Sequence, residues 1–307
     1  MSIARLFLMP EREFLQAYWP DKPYWVSGDP ARFGELASLD VVSLMQRAPA
    51  DLQCMVYLEN DPSWLEDISM PVSSARRFLA RGNCVEIGGL QELVPEARKI
   101  LGEINKTMGQ SSEFGDCSLF CKSAGKGTPP HFDRTEVFVI QLKGRCTWRI
   151  ARNPAIENPT IGHYLFDSRQ PPAELSIQVK KGHVLPSKMP EHSESIEMEP
   201  GMALFLPRGY LHETLKGEDS VSVTFSTILP TPAILFSKLV EFYLLGKEEW
   251  REPVVGLFEN ERTRAAAIDK LEGLARRFFA DGGDFLEEMR AIYPLVPKML
   301  GTPKEAD

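Results

Sequence analysis

The chain has 307 residues, of which 43% are hydrophobic and 25% charged, and its formal net charge at pH 7 is −8. This composition is typical of a soluble globular protein with one large domain, or one large and one smaller domain, and it excludes a disordered or low-complexity chain. The negative charge argues against direct nucleic-acid binding, which needs a basic surface, and is compatible with a basic polypeptide as partner.

The cysteines and the apolar segments bear on the cellular compartment. Five cysteines without the spacing of a disulfide framework predict reduced thiols in a reducing compartment. The apolar run at the N-terminus is too short for a secretory signal, and no segment has the uninterrupted apolar length that a membrane helix requires. We therefore expect a cytoplasmic protein that does not act on a membrane.

Short helical and extended patterns alternate in the first third of the chain. Residues 11–18 have helical spacing, and residues 24–26 form an aromatic strand pattern. Asp29 followed by Pro30 is typical of a helix start, and residues 54–58 are typical of a strand. One longer amphipathic helix is predicted from apolar residues at helical spacing: Leu90, Leu93, Val94, Ala97, Ile100, Leu101 and Ile104.

From Cys117 to Phe225 the pattern changes to short strands separated by glycine and proline, which indicates an all-β barrel or sandwich. The predicted strands are 118–122, 137–142, 146–150, 175–179, 193–198, 203–206 and 221–227. Lys143 and Gly144 predict a tight hairpin between two of them. After Pro230 the pattern is helical again, with one helix marked by Ile268, Leu271, Leu274 and Phe278 and another at 285–292.

Residues 128–133, Thr-Pro-Pro-His-Phe-Asp, contain the first candidate metal ligands. Side chains two residues apart on an extended strand point to the same face, so His131 and Asp133 form a chelating pair. A histidine beside an aspartate is more often a hydrogen-bonded pair than a metal site. The apolar run 137–140 that follows puts this pair at the mouth of a buried sheet, which favours the metal site.

Residues 201–212 offer a third ligand. A glycine turn leads into an apolar strand, Pro207 and Gly209 bend this strand, and His212 stands at its far end. Two imidazoles and one carboxylate form a facial triad, whose open coordination positions suit Fe(II), dioxygen and a chelating co-substrate. His192 is the nearest rival to His212, but it lies in a polar segment where exposed histidines are common.

Two spacings resemble the paired motifs of the cupin superfamily: Gly125-x5-His131-x-Asp133 with Gly144 beyond, and Gly201-x5-Pro207-x-Gly209-x2-His212. More narrowly, residues 131–150 are similar to the JmjC-type 2-oxoglutarate oxygenases of the ribosomal oxygenase and cupin-4 branch. The resemblance covers roughly residues 14–227, because residues 18–23 are similar to the entry segment of that family. The paired motifs carry the resemblance, because they fix the spacing of all three candidate ligands.

The resemblance implies a mainly β core with helices (α+β). The core would be a double-stranded β-helix, the jelly-roll barrel of cupins, with N-terminal helical elements and a C-terminal helical region. The JmjC/cupin-like catalytic domain would span residues 1–229, with the metal-binding barrel at about 115–229. The helical region 230–307 would cap the barrel or pair two subunits in a homodimer.

The family also implies a cofactor set. Iron would be held by His131, Asp133 and His212, with 2-oxoglutarate chelated at the same metal, and the usual product is a hydroxylated amino-acid side chain. Glu136 stands near where many cupins have a further carboxylate ligand, but its spacing from Asp133 is one residue short, so we leave it outside the site. Arg134 and Arg208 flank the motifs and could contact substrate, although surface ion pairs explain them equally well.

One position departs from the family. The far carboxylate of 2-oxoglutarate is commonly paired there with a lysine or arginine fifteen residues after the first ligand histidine, and here this position is Cys146. Arg145 and Arg149 are close in sequence, but strand alternation directs both to the opposite face. We therefore expect Lys122, on the strand before the metal motif, to supply the cation, with the hydroxyl of Thr128 assisting. The alternative for Lys122 is a solvated lysine at a strand end.

Three functions remain open from the sequence. The first is an Fe(II)- and 2-oxoglutarate-dependent dioxygenase that hydroxylates a side chain of a protein or peptide, where the acidic surface would attract a basic substrate. The second is the same chemistry on a small molecule such as a free or carrier-bound amino acid. The third, suggested by Cys146, is a non-catalytic cupin that binds metal or has lost it.

Overall fold

A computed structural model of the protein describes residues 3–61, 64–110, 114–165, 171–215 and 217–280, together with residues 285, 287 and 290. The chain divides into two compact units, Met1–Leu229 and Pro230–Asp307. Among the described residues, no helix has both the length and the apolar character that crossing a bilayer requires.

The first unit contains both helices and strands. Its helices are α1 (Ile3–Phe7), α2 (Glu11–Ala17), α3 (Val41–Arg47), α4 (Val72–Leu79), α5 (Leu90–Leu93), α6 (Pro95–Thr107) and α7 (Ala173–Ser176), with a 3-10 helix at Pro30–Ser38. Its strands are β1 (Tyr24–Val26), β2 (Gln53–Asp61), β3 (Trp64–Pro71), β4 (Cys84–Ile87), β5 (Asp116–Lys122), β6 (Thr128–Phe132), β7 (Glu136–Lys143), β8 (Cys146–Ala151), β9 (His163–Tyr164), β10 (Glu194–Met198), β11 (Ala203–Leu206), β12 (Leu211–Thr214) and β13 (Ser220–Thr227).

These strands form two antiparallel sheets. Within the described ranges, the larger sheet has the order β1-β11-β7-β13-β5-β4-β2-β3 and the smaller one has the order β10-β8-β12-β6-β9. Val137 and Val139 of the larger sheet pack against Trp148, Ile150 and Ile196 of the smaller one. The two sheets therefore enclose an apolar interior, and the expected double-stranded β-helix is confirmed.

Strand β7 explains why the apolar run after the His-x-Asp motif has no polar alternation. Its residues from Glu136 to Leu142 are all buried, because one face lines the interior between the sheets and the other meets the N-terminal helices. On that second face, Phe138 lies 5.0 Å from Phe205 between ring centroids, and Phe14 lies 5.2 Å from Phe205. A strand that is buried on both faces reads as a continuous hydrophobic run.

Two of the sequence-based predictions for this unit are wrong. Residues 175–179, predicted as a strand, begin within helix α7, because Pro171 and Pro172 precede a single turn in which only Leu175 is buried. Lys143 and Gly144 do not form a hairpin, because β7 and β8 belong to different sheets. The turn crosses between the sheets, and Gly144 permits it with a φ of +61°.

The predicted helix over residues 90–104 is present but interrupted. Helix α5 ends at Leu93 and α6 starts at Pro95, while Val94 between them has an extended backbone. A proline restricts the preceding residue to the extended region and lacks the N–H that an unbroken helix would use. The other predicted strands of the barrel are present within one or two residues of their expected ends.

Arg208 and Glu136 form a buried ion pair, so Arg208 is not the substrate contact or surface residue that its place in the sequence suggested. Arg208 Nε lies 2.9 Å from Glu136 Oε1, and the two side chains are 8% and 7% exposed. Arg208 Nη2 also donates to the carbonyl of Leu229 at 3.0 Å. Glu136 is therefore engaged away from the metal motif, as its spacing indicated.

Removing one partner of this pair should destabilise the fold strongly. We expect Arg208→Leu to lower the free energy of unfolding by about 3–5 kcal/mol, because Glu136 is left as an uncompensated buried charge. Urea denaturation measures the change. The double variant Arg208→Leu/Glu136→Leu should recover most of the loss, and a double variant as unstable as the single one would contradict the argument.

The second unit is helical, as the sequence predicted for residues 230–280. It contains α8 (Pro232–Leu245), a short 3-10 helix at Glu248–Trp250 and α9 (Glu261–Ala280). The hydroxyl of Thr231 accepts from the backbone N–H of Ile234 and so caps α8. Most of the predicted helix 285–292 lies outside the described residues.

Candidate metal centre

The two histidines lie opposite each other on neighbouring strands of the smaller sheet. His131 on β6 is paired with His212 on β12 in antiparallel register, and their ring centroids are 4.0 Å apart. Asp133 directly follows β6, so its side chain returns to the same face as that of His131. Local strand geometry brings two ligands together, and strand pairing adds the third.

The Pro207-x-Gly209 segment leads from one sheet to the other and is hydrogen-bonded to the first ligand motif. It does not bend a single strand: it ends β11 in the larger sheet, and His212 is the second residue of β12 in the smaller sheet. The backbone N–H of Gly209 donates to the carbonyl of Asp133 at 3.0 Å. Gly209 has a φ of +80°, and a Cβ there would lie 2.5 Å from Pro159 Cδ, so only glycine fits this turn.

The three side chains have the separations of ligands that share one ion. Asp133 Oδ2 lies 3.4 Å from His212 Nε2 and 4.0 Å from His131 Nε2. One donor atom from each residue lies within 4.8 Å of the other two. Ligands that each bind at about 2.1 Å can be up to about 4.2 Å apart, so a small closure of the site would seat a transition-metal ion.

Each imidazole is held in the tautomer that metal binding needs. His131 Nδ1 lies 2.8 Å from the carbonyl oxygen of Pro129, and His212 Nδ1 lies 3.0 Å from that of Tyr210. A carbonyl oxygen only accepts, so both Nδ1 atoms carry a proton, and Nε2 of each ring is the nitrogen that is left to bind a metal ion in the shared space. In both cases the carbonyl belongs to the residue two positions earlier.

The electrostatics of the site also suit a cation. Burial, with His212 as neighbour, lowers the pKa of His131 to about 4, so its imidazole is neutral at physiological pH. Burial would raise the pKa of the Asp133 carboxyl, but a proton on an adjacent imidazole, on His212 above all, outweighs that effect and holds the pKa below its ordinary value. Two imidazole nitrogens and one carboxylate form the facial set that suits Fe(II) and leaves positions open.

A cavity of about 250 Å³ lies beside this centre. Its walls come from both sheets: Ser118, Phe120, Lys122, Thr224 and Ser226 on the larger one, and Thr128, His131 and Tyr164 on the smaller one, with Asp133 at the end of β6 and Tyr57, Cys84 and Glu86 on β2 and β4. Asp133 is 39% exposed whereas His212 is 5% exposed. The centre is therefore accessible from the side of Asp133.

Lys122 lies in the cavity wall next to Cys146. Its Nζ is 3.8 Å from Cys146 Sγ on the facing sheet, and it donates a hydrogen bond to the hydroxyl of Thr214. Burial lowers the pKa of Lys122, partly offset by the nearby thiols of Cys146 and Cys84. The side chain therefore crosses from one sheet toward the position that Cys146 occupies on the other.

The remaining candidates lie outside the cavity. Arg149 is paired with Glu213 at 2.7 Å, and Arg145 is paired with Glu199 at 3.2 Å; neither arginine is among the residues that line the cavity. His192 is exposed on the protein surface, so His212 is the histidine that completes the triad.

Among the residues of the cavity wall that the sequence analysis missed are Tyr57, Glu86 and Tyr164. A signal for Glu86 was present, because Cys84-Val85-Glu86-Ile87 alternates in polarity as a half-buried strand does. That alternation shows that Glu86 faces away from the apolar core, but it does not show what lies on the other side.

Comparisons with known proteins agree with this architecture. Residues 98–235, which contain all three ligands, match the family model of the JmjC domain. The Bacillus subtilis protein YxbC is 23% identical over 253 residues, which cover 79% of this chain and 75% of YxbC. Human ribosomal oxygenase 1 is 32% identical over 104 residues, which cover 33% of this chain and only 14% of that protein.

A solved structure shares the fold. The structure of YcfD, a ribosomal oxygenase from Escherichia coli, in complex with cobalt and 2-oxoglutarate, superimposes with a TM-score of 0.54 at 16% sequence identity. The match covers 92% of this chain and 70% of that one. Residues 98–235 therefore match a JmjC domain, and this stretch contains both paired motifs, the three candidate ligands and strands β5 to β13 of the two-sheet barrel.

Proposed function

We propose that this protein is an Fe(II)- and 2-oxoglutarate-dependent oxygenase that hydroxylates an amino-acid side chain in a protein or peptide. The observation that carries the proposal is the convergence of His131, Asp133 and His212 on one point beside a cavity that also contains the buried ammonium group of Lys122. The relatives named ribosomal oxygenase and the cobalt and 2-oxoglutarate in the YcfD structure support the same chemistry.

His131, Asp133 and His212 would hold the iron. When bound, iron and 2-oxoglutarate would activate dioxygen, one atom of which enters succinate as the co-substrate is oxidatively decarboxylated with release of carbon dioxide, while the other is left to hydroxylate the substrate. The chain's part is to position and to exclude water. The carbonyls of Pro129 and Tyr210 fix the imidazoles, and the apolar interior behind them shields the reacting groups from water.

Lys122 would bind the far carboxylate of 2-oxoglutarate. No carboxylate of the described residues forms an ion pair with its ammonium group, whose polar contacts are Thr214 and Cys146. A buried cation without a counter-ion is unfavourable, and a dicarboxylate in the cavity would supply one. Thr128, also in the cavity wall, would assist with its hydroxyl.

Lys122 also bears on the choice between the functions that the sequence left open. Cys146 suggested a non-catalytic cupin because it leaves that position without a cation. The ammonium group of Lys122, 3.8 Å from Cys146 Sγ, supports an active enzyme in which Lys122 provides the cation instead. A polypeptide substrate is favoured over a small molecule by relatives named ribosomal oxygenase and histidyl-hydroxylase, and by a net charge of −8 that suits a basic partner.

Succinate formation tests the proposal. The Fe(II)-loaded protein should convert 2-oxoglutarate to succinate slowly alone and faster with a substrate, and a hydroxylated product should show a mass increase of one oxygen atom. Basic ribosomal-protein peptides and free amino acids, assayed in parallel, separate a polypeptide substrate from a small molecule. Succinate that does not exceed the metal-free control under any of these conditions would contradict an oxygenase.

We also propose that the protein forms a homodimer and that it is cytoplasmic. A homodimer formed through the C-terminal helices is supported by exposed aromatic and aliphatic side chains on α8, among them Phe236, Phe242 and Leu245. A cytoplasmic location is supported by five cysteines that are all free thiols.

A further inference from the structure

Glu86 places a carboxylate in the wall of the cavity beside the metal centre. It lies on β4, where its neighbours Val85 and Ile87 are buried in the apolar core, so alternation directs Glu86 to the opposite face. In the sheet it is paired with Phe120 of β5, and both residues line the cavity together with His131 and Asp133.

Two hydroxyl groups hold this carboxylate in place. The hydroxyl of Tyr57 on β2 donates to Glu86 Oε2, and the hydroxyl of Ser118 on β5 donates to the same carboxylate. A carboxylate can accept about four hydrogen bonds. Glu86 is therefore oriented by its neighbours and still has acceptor positions for a ligand.

No cation of the chain is matched to Glu86 in the described part of the structure. Lys122 and Lys126 also line the cavity, but neither forms an ion pair with it. Burial raises the pKa of Glu86, and the carboxylates of Asp116 and Asp133 add to that effect. A desolvated carboxylate with only neutral donors is costly unless a ligand brings positive charge.

The cavity thus has charged groups of opposite sign on its walls. The ammonium of Lys122 suits an anion, whereas the carboxylate of Glu86 suits a cation. A bound metal ion would offset the charge of Asp133, which leaves Glu86 as the acidic group that a substrate meets. A ligand with a cationic end would fill this side of the cavity while a dicarboxylate fills the other.

We propose that Glu86 determines substrate specificity by binding a positively charged group, a guanidinium or an ammonium, of the molecule that is hydroxylated. This inference rests on the proposed oxygenase function. It specifies that the substrate carries a positive charge and that Glu86 recognises this charge. Tyr57 acts as a positioning residue for Glu86. The cation belongs either to a basic side chain in a polypeptide or to a free basic amino acid.

Matched charged and uncharged ligands test the proposal. Calorimetry on Mn(II)-loaded protein compares the peptide acetyl-Gly-Gly-Arg-Gly-Gly-amide with the same peptide carrying citrulline, an uncharged isostere of arginine. A second arm compares free arginine with free citrulline and so distinguishes the two sources of the cation. The native protein should bind the charged member of at least one pair about tenfold or more tightly.

Glu86→Gln removes the charge and keeps the shape, so the ratio of the two dissociation constants should fall to near one. Glu197→Gln is the matched control, because Glu197 is an exposed glutamate on β10, and this variant should keep the ratio of the native protein. Tyr57→Phe removes only the hydroxyl that orients Glu86 and should lower the ratio several-fold. This variant serves as the test should Glu86→Gln fail to fold, which thermal unfolding would reveal.

Two results would overturn the role of Glu86: no preference for either charged ligand in the native protein, or a preference that both Glu86→Gln and Tyr57→Phe retain. The proposed function is judged separately, by binding and turnover of 2-oxoglutarate in the native protein. A native protein that turns over 2-oxoglutarate but ignores ligand charge refutes the inference alone.

Discussion

Asp133→Ala is expected to abolish turnover of 2-oxoglutarate. Asp133 is the anionic member of the triad and lies 3.4 and 4.0 Å from the two histidine nitrogens. Loss of an outer-shell partner already lowers metal affinity by about 10- to 100-fold, so loss of the carboxylate ligand should lower it by more than about 100-fold.

Two readouts separate metal loss from misfolding. Added Fe(II) or Mn(II) should raise the melting temperature of the native protein, since a ligand that binds only the folded state stabilises it, and this rise should disappear in Asp133→Ala. Far-ultraviolet circular dichroism should be unchanged. Asp51→Ala, at an exposed turn, is the control and should keep both the metal response and activity. A fully metal-responsive Asp133→Ala protein would remove Asp133 from the site.

Lys122→Met is expected to raise the KM for 2-oxoglutarate by at least about 100-fold. Methionine has a similar length but no charge, so the far carboxylate of the co-substrate would be buried without a partner, at a cost of about 3–5 kcal/mol. The melting temperature of the metal-free protein should not fall, because the variant also removes a buried ammonium that has no counter-ion among the described residues. Lys181→Met, at an exposed lysine, should leave the KM unchanged.

A swap of the two facing residues sharpens this test. Lys122 Nζ lies 3.8 Å from Cys146 Sγ, so the double variant Lys122→Cys/Cys146→Lys moves the ammonium to the other sheet while keeping it in the same cavity. We expect it to recover much of the affinity for 2-oxoglutarate that Lys122→Met loses. If Lys122→Met has the KM of the native protein, Lys122 does not bind the co-substrate.

The resemblance and the local pattern together predicted most of the metal centre. His131 and Asp133 share a face because side chains repeat every two residues along an extended strand, a relation that holds for any β segment. The apolar run 137–140, and the glycines and prolines that separate the short strands, can likewise be recognised from neighbouring residues in the sequence. The sequence predicts that Lys122 replaces the cation missing at Cys146 on another strand. In the structure, Lys122 Nζ lies 3.8 Å from Cys146 Sγ.

Other features depend on which strands pair, and local pattern does not contain that information. Lys143 and Gly144 have the sequence of a hairpin, but a glycine turn that crosses between two sheets needs the same residues. Residues 175–179 contain one buried leucine in a short helix, and this pattern is too brief to distinguish a helix from a strand.

The sequence by itself determined the candidate ligands and the class of fold: two imidazoles and one carboxylate in strand-flanking motifs, a barrel of short strands and a helical C-terminal region. Only the tertiary structure decided what those groups face. The alternation of β4 shows that Glu86 leaves the apolar core, but β4 reaches the metal cavity only through its pairing with β5. Long-range pairing carries residues from distant parts of the chain to one cavity, and the free energy of that pairing resides in contacts between segments rather than within any one of them.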